Sequence, residues 1–349
     1  MKYNKAVVIG RFQPFHNGHA HMIEEALKIA DEVHIVIGSA SAYPNVMNPF
    51  TVAERKRMIC QWMLFHDDIS KPDYSRVKFA QVDDYLYNEQ KWKTEVRLAV
   101  KEKRGDRIAI VGAVKDAGSY WLSGFGWEPH HVDLQLLDGV PISASNYRHE
   151  YLRNPLAVPP ADMLPERTQV FLREYYHEPE WARLNEEQLH WDKELKKFEA
   201  YPYKGALNCC TADTVVVCNN HLLVIERKFA AGKGALALAG GHKNADETFL
   251  DAAIRELIEE VQIKVPQKVL RGNIKNSWLF DHPNRSAYFC KPTMAYYISI
   301  EPNANGSLPR VKGADDAAKA FWMPMHEVVA NKARFFDDHY QIVVAFTGI

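Results

Sequence analysis

Apolar, β-branched runs recur through the first half of the chain at Ala6–Ile9, Val33–Ile37, Val77–Val82, Ile108–Val111 and Val132–Leu136, and each reads as a strand. Between them lie helix-compatible stretches near Gly18–Ala30, Thr51–Phe65 and Asn88–Lys101. Strand and helix alternating at this spacing predict a parallel sheet wrapped by helices, with ligands received at the carboxyl ends of the strands.

The texture changes at Asn154-Pro155 and stays broken through Pro159-Pro160 and Pro165. Glu178–Phe198 is polar, aromatic and helix-compatible, and reads as a connecting helix. A second set of strands is expected from near Leu207, with Thr214–Cys218 and Leu222–Glu226 flanking Asn219-Asn220, a pair suited to a hairpin turn. An amphipathic helix follows at Asp246–Val261, then strands around Met294–Ile300. The expected organisation is a first domain over 1–160, a helical linker over 161–204 and a second domain over 205–349.

Composition narrows the function classes. At 349 residues the chain exceeds one ordinary core, and its 47% hydrophobic and 25% charged residues are those of a globular protein. With 43 Lys+Arg against 44 Asp+Glu, no general field holds nucleic acid or an anionic membrane, so phosphate binding must be local. No apolar run approaches the ~18 residues of a membrane span, and with the strand-like Ala6–Ile9 so early no signal peptide is expected. Cys60, Cys209, Cys210, Cys218 and Cys290 form no C-x-x-C pair, and are expected to be buried, reduced thiols of a cytoplasmic protein.

The first strand runs into Gly10-Arg11-Phe12-Gln13-Pro14-Phe15-His16-Asn17-Gly18-His19, where a helix begins. A glycine-containing turn there exposes backbone N–H groups at a helix N-terminus, a place where anions bind. His16 and His19 bracket the turn and can donate to phosphate oxygens and stabilise charge building at an α-phosphorus. This stretch resembles the H-x-G-H nucleotidyltransferases, and the longer run is similar to nicotinamide mononucleotide adenylyltransferases of archaeal type. Asn48-Pro49-Phe50-Thr51-Val52-Ala53-Glu54-Arg55 matches that family's N-P-F-T-x-x-E-R, and Ile142-Ser143-Ala144-Ser145-Asn146-Tyr147-Arg148 its I-S-x-T-x-x-R, with Ser145 in place of Thr. Ser145 keeps the hydroxyl and is expected to cap the next helix.

The resemblance implies an in-line attack by the mononucleotide's 5′-phosphate on ATP, with Arg11, His16, His19, Arg148 and Mg²⁺ neutralising charge. It places Gly10, Phe12, Arg55, Asn88, Lys115, Ser143 and Ser145 at nucleotide-binding positions and Trp92 against the nicotinamide ring. Lys115-Asp116, at the end of the fourth strand, is a further expected contact.

In the second half, Gly241, Glu247 and Arg255-Glu256-Leu257-Ile258-Glu259-Glu260-Val261-Gln262-Ile263 follow G-x5-E-x7-R-E-U-x-E-E-x-G-U, departing only at Gln262. Helical spacing puts Glu256, Glu259 and Glu260 on one flank. Carboxylates so gathered repel one another unless a divalent cation binds, and hard oxygen ligands favour Mg²⁺ or Mn²⁺. Arg255 can hold a carboxylate by an ion pair, Gly240-Gly241 lets backbone approach the metal and diphosphate, and Gln262 is expected to alter the helix end. The pattern is similar to the Nudix box. Arg285 is a candidate phosphate or ribose contact, and Asp315 or Asp316 a candidate base.

Taken whole, the chain resembles the bifunctional nicotinamide mononucleotide adenylyltransferase/Nudix hydrolase family. That implies a Rossmann-like, doubly wound α/β domain followed by an α/β/α Nudix domain, NAD⁺ synthesis, and hydrolysis of ADP-ribose to AMP and ribose 5-phosphate. Expected partners are ATP, nicotinamide mononucleotide, ADP-ribose and further copies of the chain in a homo-oligomer, with no nucleic acid and no membrane. Two alternatives stay open: an H-x-G-H transferase with another acceptor, and a Nudix domain that senses a nucleotide to regulate the transferase.

Overall fold

In the computed structural model, which describes all residues but Met1, 66–72, 115–120, 158, 160, 161, 200–208 and 288–290, the first apolar run becomes β1 (Tyr3–Gly10). It is followed by α1 (Asn17–Ile29), β2 (Ala30–Ile37), α2 (Val52–Phe65), β3 (Val77–Gln81), α3 (Glu89–Ala99), β4 (Ile108–Gly112) and β5 (Glu128–His131). These form a five-stranded sheet of order β3-β2-β1-β4-β5, every neighbouring pair parallel. Ala6, Val7 and Val8 on β1 and Val33, Ile35 and Val36 on β2 are fully buried, as a sheet covered on both faces requires. The strand order reverses between β1 and β4, so the ligand crevice of such a sheet opens at the carboxyl end of β1.

The fifth strand lies earlier than its apolar pattern suggested. β5 pairs with β4 from Ala109↔Glu128 to Gly112↔His131, whereas the Val132–Leu136 run continues past it into a two-residue pairing of β6 (Leu136–Leu137) with β7 (Val140–Pro141). An edge strand with largely exposed side chains carries no apolar signal, and Glu-Pro-His-His has none.

Helices α4 (Ala144–Arg153), α5 (Glu166–Tyr175) and α6 (Pro179–Lys197) complete the region. The chain divides into two units, Met1–Ala40 with Pro44–Gln188, and Ser41–Tyr43 with Leu189–Ile349. Helix α5 belongs to the first: Phe50 meets Phe171 and Tyr175 edge-on at 5.6 and 5.0 Å, and the Tyr151 hydroxyl donates to Leu172 O at 2.8 Å.

The second unit contains β8 (Thr211–Cys218), β9 (His221–Arg227), β10 (Leu236–Ala237), β11 (Ala239–His242), α7 (Phe249–Val261), α8 (Gln267–Gly272), β12 (Ile274–Phe280), β13 (Thr293–Ile300), β14 (Ala317–Pro324), α9 (Met325–Ala330) and α10 (His339–Thr347). Its seven-stranded sheet runs β10-β9-β8-β13-β12, with β11 also on β8 and β14 on β9. Among the strand pairs of the described residues in this sheet, β8 and β13 alone run parallel, from Thr211↔Thr293 to Cys218↔Ile300. Helix α7 lays Ala252, Ala253, Ile254, Leu257 and Val261 into the core. It begins two residues after Glu247, because Thr248 and Asp251 close a reciprocal capping box. The strand start expected near Leu207 lies outside the described residues.

Cys218 is buried as expected, but Cys60 and Cys209 are half-buried and Cys210, ahead of the buried stretch of β8, is exposed; all four are free thiols. Cys290 lies outside the described residues. Among those residues no helix is long and apolar enough to cross a membrane.

The β8–β9 hairpin closes through Asn219 and Asn220 at φ 45° and 59°. Two successive left-handed residues match a type I′ turn, whose second position favours glycine. Asn220→Gly should therefore raise, and Asn220→Val lower, the midpoint of urea unfolding of the second unit, the valine costing about 1–2 kcal/mol.

Candidate active sites

At the end of β1 the two histidines of the first motif are themselves the start of α1. His16 is the N-cap; its Nδ1 accepts the His19 amide at 3.3 Å, and His19 Nδ1 accepts the His16 amide at 3.3 Å. The rings stack 3.6 Å apart between centroids. This reciprocal cap does with imidazoles what Ser and Glu do in an ordinary capping box. Phe12, buried and left-handed at φ 54°, packs edge-on to His19 at 4.8 Å. Gly10 is required beneath it, since a Cβ there would lie 2.9 Å from the Phe12 ring. Arg11 is exposed at the same turn.

Two buried guanidinium groups hold this turn from behind. Arg55 Nη1 donates to Arg11 O at 3.0 Å and Gly38 O at 2.6 Å, and its Nη2 donates to Ser39 O at 3.2 Å. Burial pushes its pKa down to about 10, still leaving it charged at neutral pH. Arg148 donates from Nη1 to Gln13 O at 2.7 Å and from Nε to Val46 O at 3.0 Å. Ser145 does not cap α4: that position is held by Ser143, which makes no side-chain cap bond, and the Ser145 hydroxyl instead accepts from Arg148 Nη2 at 3.5 Å.

Asn88 caps α3 by accepting the Lys91 amide at 2.9 Å. Trp92, half-buried, packs edge-on against Trp121 at 6.1 Å and tilted against Phe125 at 5.4 Å. Lys115 and Asp116 lie outside the described residues.

In the second unit Arg255 organises the acidic helix. It donates from Nε and Nη2 to the two oxygens of Glu247 at 3.0 and 2.7 Å, and from Nη1 to Glu256 Oε1 at 2.8 Å and Glu259 Oε2 at 2.9 Å. The hydrogen bonds from Arg255 hold the Glu247 carboxyl down at about 2, and the bond to Glu247 raises the Arg255 guanidinium further. Glu256 is raised nonetheless, because burial outweighs its bond to Arg255. Glu260 faces away from the arginine: 4% exposed, it accepts the Gly240 amide at 3.0 Å. Burial lifts its pKa to about 8. Gly241 sits where a Cβ would be 2.5 Å from Glu256 Oε1.

The carboxylates expected on one flank are thus split between two partners. Among the described residues no group of three His, Cys, Asp or Glu side chains is gathered closely enough to hold a metal ion. Like charges separate, and each finds a positive partner, Arg255 or a backbone amide. The donors still suit a hard divalent cation, being carboxylate oxygens of which two are desolvated and lack full charge compensation.

Gln262 takes the left-handed helix-ending conformation, φ 47°, that glycine would adopt more easily, and its amide bonds to Ile258 O, so the helix end is preserved. Arg285 is not open to a ligand. It is buried in a bidentate pair with Asp338, at 3.0 and 2.9 Å, and donates to Lys291 O. Asp315 and Asp316 are exposed. Asp315 lies within electrostatic reach of Glu256.

The Cytidylyltransferase-like family model matches residues 7–150, and the NUDIX domain model residues 210–346. The nicotinamide/nicotinic acid mononucleotide adenylyltransferase of Acinetobacter baylyi is 35% identical over 177 residues, covering 50% of this chain and 87% of its own length. A nicotinamide-nucleotide adenylyltransferase of Methanoculleus marisnigri is 41% identical over 71 residues, 20% of this chain and 40% of that protein. The crystal structure of a bifunctional NMN adenylyltransferase/ADP ribose pyrophosphatase from Francisella tularensis, complexed with AMP and Mn ion, is similar over 99% of both chains, with TM-score 0.90 and 31% identity.

The chain belongs to the bifunctional NMN adenylyltransferase/Nudix hydrolase family. In this member two contacts of the sites could not be read from the motif residues that make them. Gln13 clamps the Asn48–Arg55 segment through Phe50, its amide donating to Phe50 O at 2.9 Å and accepting Phe50 N at 3.0 Å. The other is the bond from the Gly240 amide to Glu260, made by the first residue of the Gly240-Gly241 pair. For this bifunctional chain, Gly241→Ala should lower diphosphate hydrolysis by about tenfold or more while NAD⁺ formation is unchanged, both read by product chromatography. Arg55→Met leaves its carbonyl partners buried and unpaired. It should destabilise the first unit by about 3 kcal/mol or more, measured by urea unfolding.

Proposed function

We propose that the first unit transfers AMP from ATP to nicotinamide mononucleotide through His16 and His19, and that the second hydrolyses ADP-ribose through Glu256, Glu259 and Glu260, in a cytoplasmic protein. Transferase chemistry is assigned to residues 1–160 and hydrolase chemistry to 205–349. The observation that carries the reading is the stacked, mutually capping histidine pair at the mouth of the parallel sheet. It sets two imidazoles side by side at the start of a helix, a place suited to phosphate oxygens.

In the transfer, a 5′-phosphate oxygen of the mononucleotide attacks the α-phosphorus, and the bond to the bridging oxygen of the pyrophosphate breaks. No protein nucleophile is needed. His16 and His19 donate to the oxygens on which charge collects, and exposed Arg11 adds positive charge. Arg55 and Arg148 keep the turn in shape by holding its carbonyls inward. Trp92 offers a flat aromatic face to the nicotinamide ring.

In the hydrolase, Glu256, Glu259 and Glu260 would hold a divalent cation, Mg²⁺ or Mn²⁺, which when bound would supply charge neutralisation and a more acidic water. Arg255 keeps Glu247, Glu256 and Glu259 from splaying apart, and Gly240 seats Glu260. ADP-ribose is the substrate this reading selects, because it shares the adenosine diphosphate moiety handled by the first unit.

Chromatography of reactions containing ATP plus nicotinamide mononucleotide, and separately ADP-ribose with Mg²⁺ or Mn²⁺, tests both halves. Absence of ADP-ribose loss removes the hydrolase assignment. His19→Ala should reduce NAD⁺ formation by about 10²–10³-fold and leave hydrolysis intact. Glu259→Gln should do the reverse, and equal loss of both activities in folded protein would contradict two separate sites.

A further inference from the structure

Leu238 lies between β10 and β11, outside both strands, and is 1% exposed, so neither the strand pairing nor water serves its amide. That amide donates to Nδ1 of His339, 2.9 Å away, on the first residue of α10. The imidazole is buried, packs edge-on against Phe336 at 5.7 Å, and is kept neutral by that burial, its pKa driven down to about 3. The same stretch of chain is fastened to β10 twice more. Phe335 forms a bridge with Leu236, and the Phe336 amide donates to Leu236 O at 2.8 Å. Asp338 in turn is locked by the bidentate pair with Arg285.

What this clamp holds is the strand of the hydrolase site. Two residues after Leu238, the Gly240 amide seats Glu260, and the next residue is the glycine against Glu256. We propose that His339 is a positioning residue of the hydrolase site: by accepting the Leu238 amide proton it fixes the strand that presents Gly240 and Gly241 to Glu260 and Glu256. The inference rests on the reading that these carboxylates hold a divalent cation. It adds a residue outside the Nudix pattern, almost eighty positions beyond its last glutamate.

The substitutions that test it separate the acceptor from the bulk of the ring. His339→Leu fills the space without an acceptor. His339→Asn returns an oxygen at the place of Nδ1, and His339→Gln moves it away. The readout is Mn²⁺ binding to the full-length, metal-stripped protein by electron paramagnetic resonance without nucleotide, followed by kcat for ADP-ribose hydrolysis. His339→Leu should weaken Mn²⁺ binding by about tenfold or more and lower kcat with it, and His339→Asn should restore both toward the unsubstituted protein. NAD⁺ formation should be the same in all variants. Equal Mn²⁺ affinity in the leucine variant overturns the proposal, as does an asparagine variant no better than leucine. If the leucine variant fails to fold, the glutamine variant decides: weak binding supports the proposal and unchanged binding refutes it. An unsubstituted protein that binds no Mn²⁺ would instead remove the cation-site reading itself, and this inference with it.

Discussion

A turn that carries its carbonyls into the interior must find donors for them, because buried carbonyls left unpaired are costly. The first unit meets this constraint with long side chains from distant segments. Arg55 takes up Arg11 O, Gly38 O and Ser39 O, Arg148 takes up Gln13 O and Val46 O, and Gln13 closes on Phe50. The N-P-F-T-x-x-E-R and I-S-x-S-x-x-R segments therefore matter first as scaffolding for the histidine turn. A guanidinium is suited to the work because its donors fan out in one plane and its charge survives burial.

The second unit solves the mirror-image problem. Its clustered side chains are anions, which repel, so Arg255 and the Gly240 amide divide them. The partition explains why the helical spacing of the glutamates did not translate into a closed cage. Spacing fixes which side of a helix a residue occupies, but the last bonds of a glutamate follow the nearest positive charge.

Much of the fold was legible because its signals are local. Apolar runs marked β1 to β4, helical periodicity marked α1 to α3 and α7, and Asn219-Asn220 marked the hairpin. β5 escaped because an exposed edge strand needs no apolar residues. Arg285 read as a ligand contact because its partner, Asp338, is fifty-three positions away and adjacency in space leaves no trace in a single sequence. Gln262 shows the opposite case, a residue that breaks the pattern yet adopts the conformation the pattern requires. The motifs contained Arg55, Arg148 and Gln13, but their spacing did not say which carbonyls those side chains hold.

The helix that begins at His16 also decides where protons reside. An imidazole whose Nδ1 accepts an amide hydrogen must, when neutral, bear its own hydrogen on Nε2. When neutral, both rings of the pair are thereby set to the same tautomer by backbone amides. Catalytic histidines are commonly oriented by an acidic neighbour, which also makes them more basic. Here amide hydrogens accepted at Nδ1 place the ring hydrogens of the neutral forms on the far nitrogens.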